Sequence, residues 1–225
     1  MRCLTRRNFI INGSLAMGGT LGTIAFGGDL LSPNHVHALD AEFSESSCGL
    51  KGKKVLVAYA SLCGSTGGVA EAIGEVFCKK GASVDVRLLE NVKDLNQYRA
   101  AVIGSSVQSS SWRSEAIDFV KANQKILSRI PVAYFLTCLA LYKDNSKNRS
   151  LARSYMNPVL EAVPDVHPVD TGHFAGVLDY SKLNFIFRVV MKSKMKKQGI
   201  PEGDFRNWDA IISWAEGISS LLIAI

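Results

Sequence analysis

A chain of 225 residues, 47% hydrophobic and 20% charged, has material for one domain-sized core. Its formal net charge of +6 is modest. With no basic stripe interleaved with aromatics and no nucleic-acid motif, the sequence gives no ground for a nucleic-acid partner. The five cysteines fall in no CxxC or Cys/His spacing, which removes the common metal-site signatures.

The N-terminus reads Thr5-Arg6-Arg7-Asn8-Phe9-Ile10 and continues as an apolar, glycine-rich run to about Phe26. A charged start, an apolar middle and a small-residue site at Val36-His37-Ala38 are the parts of an export signal. The paired arginines followed by Phe9 resemble a twin-arginine signal, a route used by passengers that fold before transport. A permanent anchor is the alternative, but Asn12, Gly13 and Ser14 interrupt the run, and a span needs about 20 apolar residues. Residues 1–38 are therefore expected to be an export signal to the periplasm or the outer face of the membrane. Residues 39–52 are expected to be a polar linker, and 53–225 one folded domain. Losing three arginines and one aspartate with the signal leaves +4 of the +6. Of the remaining cysteines, Cys63, Cys78 and Cys138 lie in or beside apolar elements and read as buried free thiols. An oxidising compartment permits disulfides without saying which. Cys63 is set apart because a helix N-terminus lowers a thiol pKa.

Val55 to Tyr59 is a β-branched apolar run that reads as a buried strand. It breaks into Ser61, Leu62, Cys63, Gly64, Ser65 and Thr66, and a helical pattern follows at Val69, Ala70, Ile73, Val76 and Phe77. A strand, a small polar loop and a helix N-terminus together make an anion site, because the first N–H groups and the helix dipole point at the ligand. Ser61, Ser65 and Thr66 are either phosphate donors or N-caps of the helix, which favours the same residue types. A Walker loop is excluded, since no lysine lies between Lys54 and Lys79, and a GxGxxG turn is absent.

Ser83 to Leu89 alternates like a strand. Ala100 to Ser106 is a short buried-type strand running into a second small polar loop, Gly104 to Trp112. A helix follows over Arg113 to Ile126. Pro131 to Leu136 is another buried strand, ending in Thr137, Cys138, Leu139 and Ala140. Strands alternating with helices imply a doubly wound parallel α/β sheet. Ligands of such sheets bind outside the carboxyl ends of the strands. Three small polar loops fall at such ends: Ser61–Thr66, Ser105–Ser111 and Thr137–Tyr142. No acid stands where a phosphoryl-receiver domain needs one, and no GxSxG elbow is present. Either Val166 to Val169 or His173 to Val177 supplies the fifth strand. Leu183 to Lys197 is apolar at its start and basic at its end, either a solvated face or a contact with an anionic membrane. The final helix runs from Asn207 or Trp208 to Leu222. His167 and His173 lack ligand-spaced partners and read as surface or capping residues.

The Ser-x-x-Gly-x-Thr loop resembles the flavodoxin family, with Cys63 where a second hydroxyl is usual. The segments Val102–Ser106 and Ala133–Leu136, the late Met/Lys helix and the Asp204–Trp208–Trp214 region resemble its menaquinone-dependent protoporphyrinogen oxidase branch, over nearly all of Lys53 to Ile218. The resemblance implies a five-stranded sheet of order 2-1-3-4-5 and an extra segment late in the chain. It also implies FMN held by the three loops: Ser61 to Thr66 on the phosphate, then Ser105, Ser106, Val107 and Gln108, then Thr137, Cys138, Leu139 and Tyr142. Trp112 and Tyr142 either stack on the flavin or pack as half-buried aromatics. The function so implied is an FMN oxidoreductase passing electrons from a small organic substrate to a quinone or other acceptor. The alternative is a non-enzymatic carrier between redox proteins. No side chain is required as acid or base, since the chemistry is the flavin's.

Overall fold

The computed structural model describes residues 43–49 and 54–223. The expected signal lies outside them, as does the linker apart from 43–49. Part of that linker is a strand, β1 (Ser46–Cys48), which pairs antiparallel with β3 (Val84–Leu88). Its residues have no apolar periodicity to announce them, and tertiary bonds hold them instead. Ser47 Oγ donates to Asp85 at 2.6 Å, and Cys48 is disulfide-bonded to Cys78. Cys78 is thus not a free thiol, whereas Cys63 and Cys138 are.

β2 (Lys54–Ala60) is buried along almost its whole length and pairs in parallel with both β3 and β4 (Tyr98–Gln108). β4 then pairs with β6 (Val132–Cys138), and β6 with β7 (Thr171–Ala175), again in parallel. The parallel order β3-β2-β4-β6-β7 is the expected 2-1-3-4-5, with β1 added outside β3. The fifth strand falls at the second of the two expected places. Val169 and Asp170 only lead into it, through Val169 N–H to Val132 O and Tyr134 N–H to Asp170 O.

Alternate residues of the strands feed two cores, as expected where both faces are covered. Val55, Val57, Tyr59 and Phe135 point to the layer of α1 (Ser65–Lys79) and α7 (Trp208–Ile223). Leu56, Ile103, Tyr134 and Leu136 point to the layer of α2 (Ser114–Ala122) and α5 (Asn157–Ala162). α1 sits close to the sheet because Gly74 faces Val86, where a Cβ would come within 2.6 Å of Cγ2. The helix expected over Arg113–Ile126 breaks at Asn123 into α2 and α3 (Gln124–Leu127). The Asn123 amide donates to Phe119 O there, a side-chain competition that ends helices. A 3-10 turn (Leu139–Tyr142) and α4 (Ser146–Ser154) follow β6.

The extra late segment is an excursion between β7 and α7. Its β8 (Val177–Leu178) and β9 (Gly203–Asp204) pair antiparallel and enclose α6 (Phe185–Gln198). Leu178, Tyr180, Leu183 and Met195 form a third cluster, packed against Cys63 and Leu139. The excursion therefore roofs two of the three loops.

Candidate functional site

The loop after β2 turns into α1 through Gly64, whose φ of 80° is a left-handed conformation that glycine adopts without a Cβ penalty. No side chain caps α1, and its first turn carries no acid. The positive end of its dipole is left uncompensated at the loop. Neither Ser65 nor Thr66 is the N-cap, which is Gly64 itself.

Thr66 is fully buried, and its hydroxyl lies 2.8 Å from that of Thr137, at the end of β6. This bond ties the first loop to the third. Ser61 is also buried, yet its Oγ has no hydrogen-bond partner among the described residues. A buried hydroxyl left unpaired is costly, so Ser61 Oγ is free to bond an atom placed in the loop. Leu62, Cys63, Gly64 and Ser65 are half-buried around it.

The second loop differs from expectation. β4 continues through Val107 and Gln108 and folds back on β5 (Ser111–Trp112) as a hairpin. The two turn residues, Ser109 and Ser110, have φ of 51° and 67°. Mirror-image turns match strand twist but usually recruit Asn or Gly. Holding serine there costs roughly 1 kcal/mol or more per residue. Ser105 is buried, accepts a bond from Arg113 N–H at 3.0 Å and donates to Ser106 O. Ser106, Val107 and Gln108 are half-buried. Trp112 is buried edge-on against Tyr134, 5.2 Å between ring centres, and so serves the core.

In the third loop Thr137 and Cys138 are buried, while Leu139 and Tyr142 are half-buried. Tyr142 meets Phe205 edge-on at 6.0 Å, and Lys143 Nζ lies over its ring. Burial pushes the Cys138 thiol up to about 11. Burial also raises Cys63, against the lowering expected from a helix N-terminus, because the roof excludes water from it.

Two arginines escaped the sequence reading. Arg113 is buried, bonds Gln108 Oε1 at 3.1 Å and pairs with Glu115, bracing the hairpin. Arg206 is fixed by Asp204, lies 4.5 Å over the Trp208 ring, and donates to Ser65 O at 3.2 Å. It sits against Gly68, where a Cβ would come within 2.7 Å of its Nη1. The Asp204-x-Arg206-x-Trp208 spacing before a helix is the only sequence signal for it.

Two clefts flank these loops. One, of about 430 Å³, lies beside Ser61 between Tyr59, Leu89, Arg113 and Phe119. The other, of about 460 Å³, lies along β7 between Tyr142, Arg149, Arg153, His173 and Trp214. His173 is thus a half-buried strand residue, and burial, with the nearby Arg153 charge, lowers its pKa.

Curated relatives include a protoporphyrinogen IX dehydrogenase [quinone] of Leishmania major, 26% identical, covering 76% of this chain and 77% of that protein. The enzyme of the same name from Escherichia coli K12 is also 26% identical, covering 75% of this chain and 96% of its own. Among solved structures, a flavodoxin from the domain Archaea has a TM-score of 0.49 at 15% identity, covering 75% and 98%. The profile of the flavodoxin domain matches residues 56–203, well over half of the chain. With its parallel sheet of order 2-1-3-4-5 and three loops at the carboxyl edge, this chain belongs to the flavodoxin domain family, a family of flavin-binding redox proteins.

Proposed function

We propose that this chain is an FMN-dependent oxidoreductase that takes electrons from a small organic substrate and delivers them to a quinone, and that it works after export. The observation that carries the reading is the placing of three loops at one edge of the sheet, the first and third tied by the Thr66–Thr137 bond, beside the buried hydroxyl of Ser61, unpartnered among the described residues. The residues fit the cofactor. Ser61, the N–H groups of the uncapped α1 and the half-buried Ser65 suit its phosphate. The extended β4 (Ser106 to Gln108) and the loop Cys138 to Tyr142 suit its ring.

When bound, the flavin supplies hydride or single-electron transfer. The protein's own part is to hold it, exclude water and tune its potential. Cys63 and Cys138, both held as neutral thiols by burial, add no negative charge beside it. The relatives' name, protoporphyrinogen IX dehydrogenase [quinone], supports the quinone acceptor. Export is supported by the twin-arginine pattern and by the Cys48–Cys78 disulfide, a bond that persists in oxidising compartments.

The test is an absorbance spectrum of the purified protein with mass identification of the released chromophore, followed by turnover with a porphyrinogen and a quinone. A flavin spectrum, released FMN and quinone-dependent turnover are expected. FMN with reactivity only toward redox proteins would assign a carrier instead, and a protein that neither carries nor binds FMN would refute the cofactor. Within the site, Ser61→Ala should weaken FMN by about 1–3 kcal/mol while leaving stability unchanged, because its hydroxyl has no protein partner to lose.

A further inference from the structure

α6 carries an arrangement that the flavin site does not use. Phe185 is 77% exposed, Ile186 73%, Val189 54% and Val190 58%. At 100° per residue these positions, with Phe187, cover an arc of about 200°, and Arg188, Met191 and Met195 occupy the opposite side. The arc is turned away from the side that packs on the domain. Arg188 ties the first turns back to Leu183 O, and Met191 and Met195 root the helix in the cluster against Cys63 and Leu139, leaving the apolar arc exposed. Isolated exposed apolar residues are ordinary, but five within six positions form a patch that marks an interaction surface.

Along α6 itself the charge is of one sign, although Asp179, ahead of it, lies close enough to Arg188 to feel its charge. From Leu183 to Gly199 there is no acidic residue, and Lys192, Lys194, Lys196 and Lys197 follow the apolar turns. Lys194, Lys196 and Lys197 are exposed; Lys192 Nζ lies over the Tyr180 ring. Arg188, the one cation among the apolar residues, folds its guanidinium back onto Leu183 O at 3.1 Å and keeps it off the tip.

We propose that α6 seats the protein on an anionic lipid bilayer, its apolar N-terminal turns dipping into the acyl boundary and its lysines meeting the headgroups. An apolar end with a following basic collar is complementary to an anionic interface, with apolar burial and charge adding. It is not complementary to a neutral protein face. The contact is peripheral, since no helix among the described residues is long and apolar enough to cross a membrane. The sequence alone allowed a helix lying flat on the surface. The structure turns the apolar arc of residues 185–190 away from the domain, which leaves it open to such a surface.

The test uses the full chain and does not depend on the flavin reading. Phe185→Trp is mixed with vesicles of brominated phosphatidylcholine, with or without phosphatidylglycerol. Quenching beyond that of the parent chain is expected only when phosphatidylglycerol is present. This reads the tip itself, whatever the N-terminal segment does. Replacing Phe185, Ile186, Val189 and Val190 together by serine should lower the fraction that floats with anionic vesicles at least tenfold, with an unchanged melting temperature. Each lysine changed to glutamine should weaken binding roughly fivefold, the equivalent of about 1 kcal/mol. No added quenching, equal quenching on neutral vesicles, or loss of self-association in the serine variant without loss of lipid binding would each overturn the proposal.

Discussion

The Thr66–Thr137 bond holds the first and third loops of the site together. Both residues are buried, and their hydroxyls are 2.8 Å apart. Thr66→Val is nearly isosteric, so it creates no cavity. It removes the bond, worth about 1 kcal/mol net, and strands the Thr137 hydroxyl out of water, for a total of about 1–3 kcal/mol. Thr137→Val should cost about the same. The double variant leaves no stranded hydroxyl, and its cost should fall to or below that of either single change. The coupling in the double-mutant cycle is then at least as large as one single effect, about 1–3 kcal/mol. Urea unfolding of the flavin-free protein measures it, and each single variant should melt roughly 2–12 °C lower, at about 2–4 °C per kcal/mol for a domain of this size. Single effects that simply add in the double variant would show that the two hydroxyls do not act on each other, and would remove the link between the loops.

Gly104→Ala should destabilise the domain by about 1–3 kcal/mol or prevent folding, because a Cβ there would enter the ring of Phe135; circular-dichroism melting checks it, and Phe135→Leu in the same chain should restore part of the loss. Asp85 sets a pH dependence. Burial pushes its carboxyl up, but bonds from Ser47, Lys54 and Tyr98 and the Arg87 charge overcome this and hold it below its ordinary value. Its contribution is therefore complete above the unfolded carboxyl's pKa and is lost as pH falls through the lower, folded one; Asp85→Asn should flatten the stability profile across that acid window in denaturant titrations. Cys48 and Cys78 stand 30 residues apart, so replacing both by alanine should cost roughly 3–4 kcal/mol through the loosened unfolded chain, read as a lower denaturation midpoint.

The parts of the fold that could be read ahead are those written in local chemistry. Val55 to Tyr59 is apolar at every position, which only a strand covered on both faces tolerates. The small polar residues after it have few other uses. Once three such ends were in hand, the parallel-sheet rule brought them to one edge. The rest depended on partners distant in the chain. Ser46 to Cys48 is polar and becomes a strand only through β3 and Cys78. Ser109-Ser110 lacks the glycine or asparagine that announces a hairpin, so β4 read as ending early. Arg113 and Arg206 are ordinary arginines until Ser105, Gln108 and Ser65 come within reach. Trp112 gave no hint of its side, and packing against Tyr134 decided it.

β1 also bears on how this protein keeps to itself. Without those three residues, β3 would end the sheet with a row of unpaired backbone donors and acceptors, a ready template for a neighbouring chain. β1 occupies that row, and the disulfide keeps it from peeling away. Reduction would leave that strand held by its backbone pairing and by the Ser47–Asp85 and Arg87–Ser46 bonds alone, loosening the cover of an adhesive border while the three loops, at the carboxyl ends of the strands, stay in place. The first sign of thiol stress would accordingly be clumping of a still-folded protein rather than lost redox chemistry.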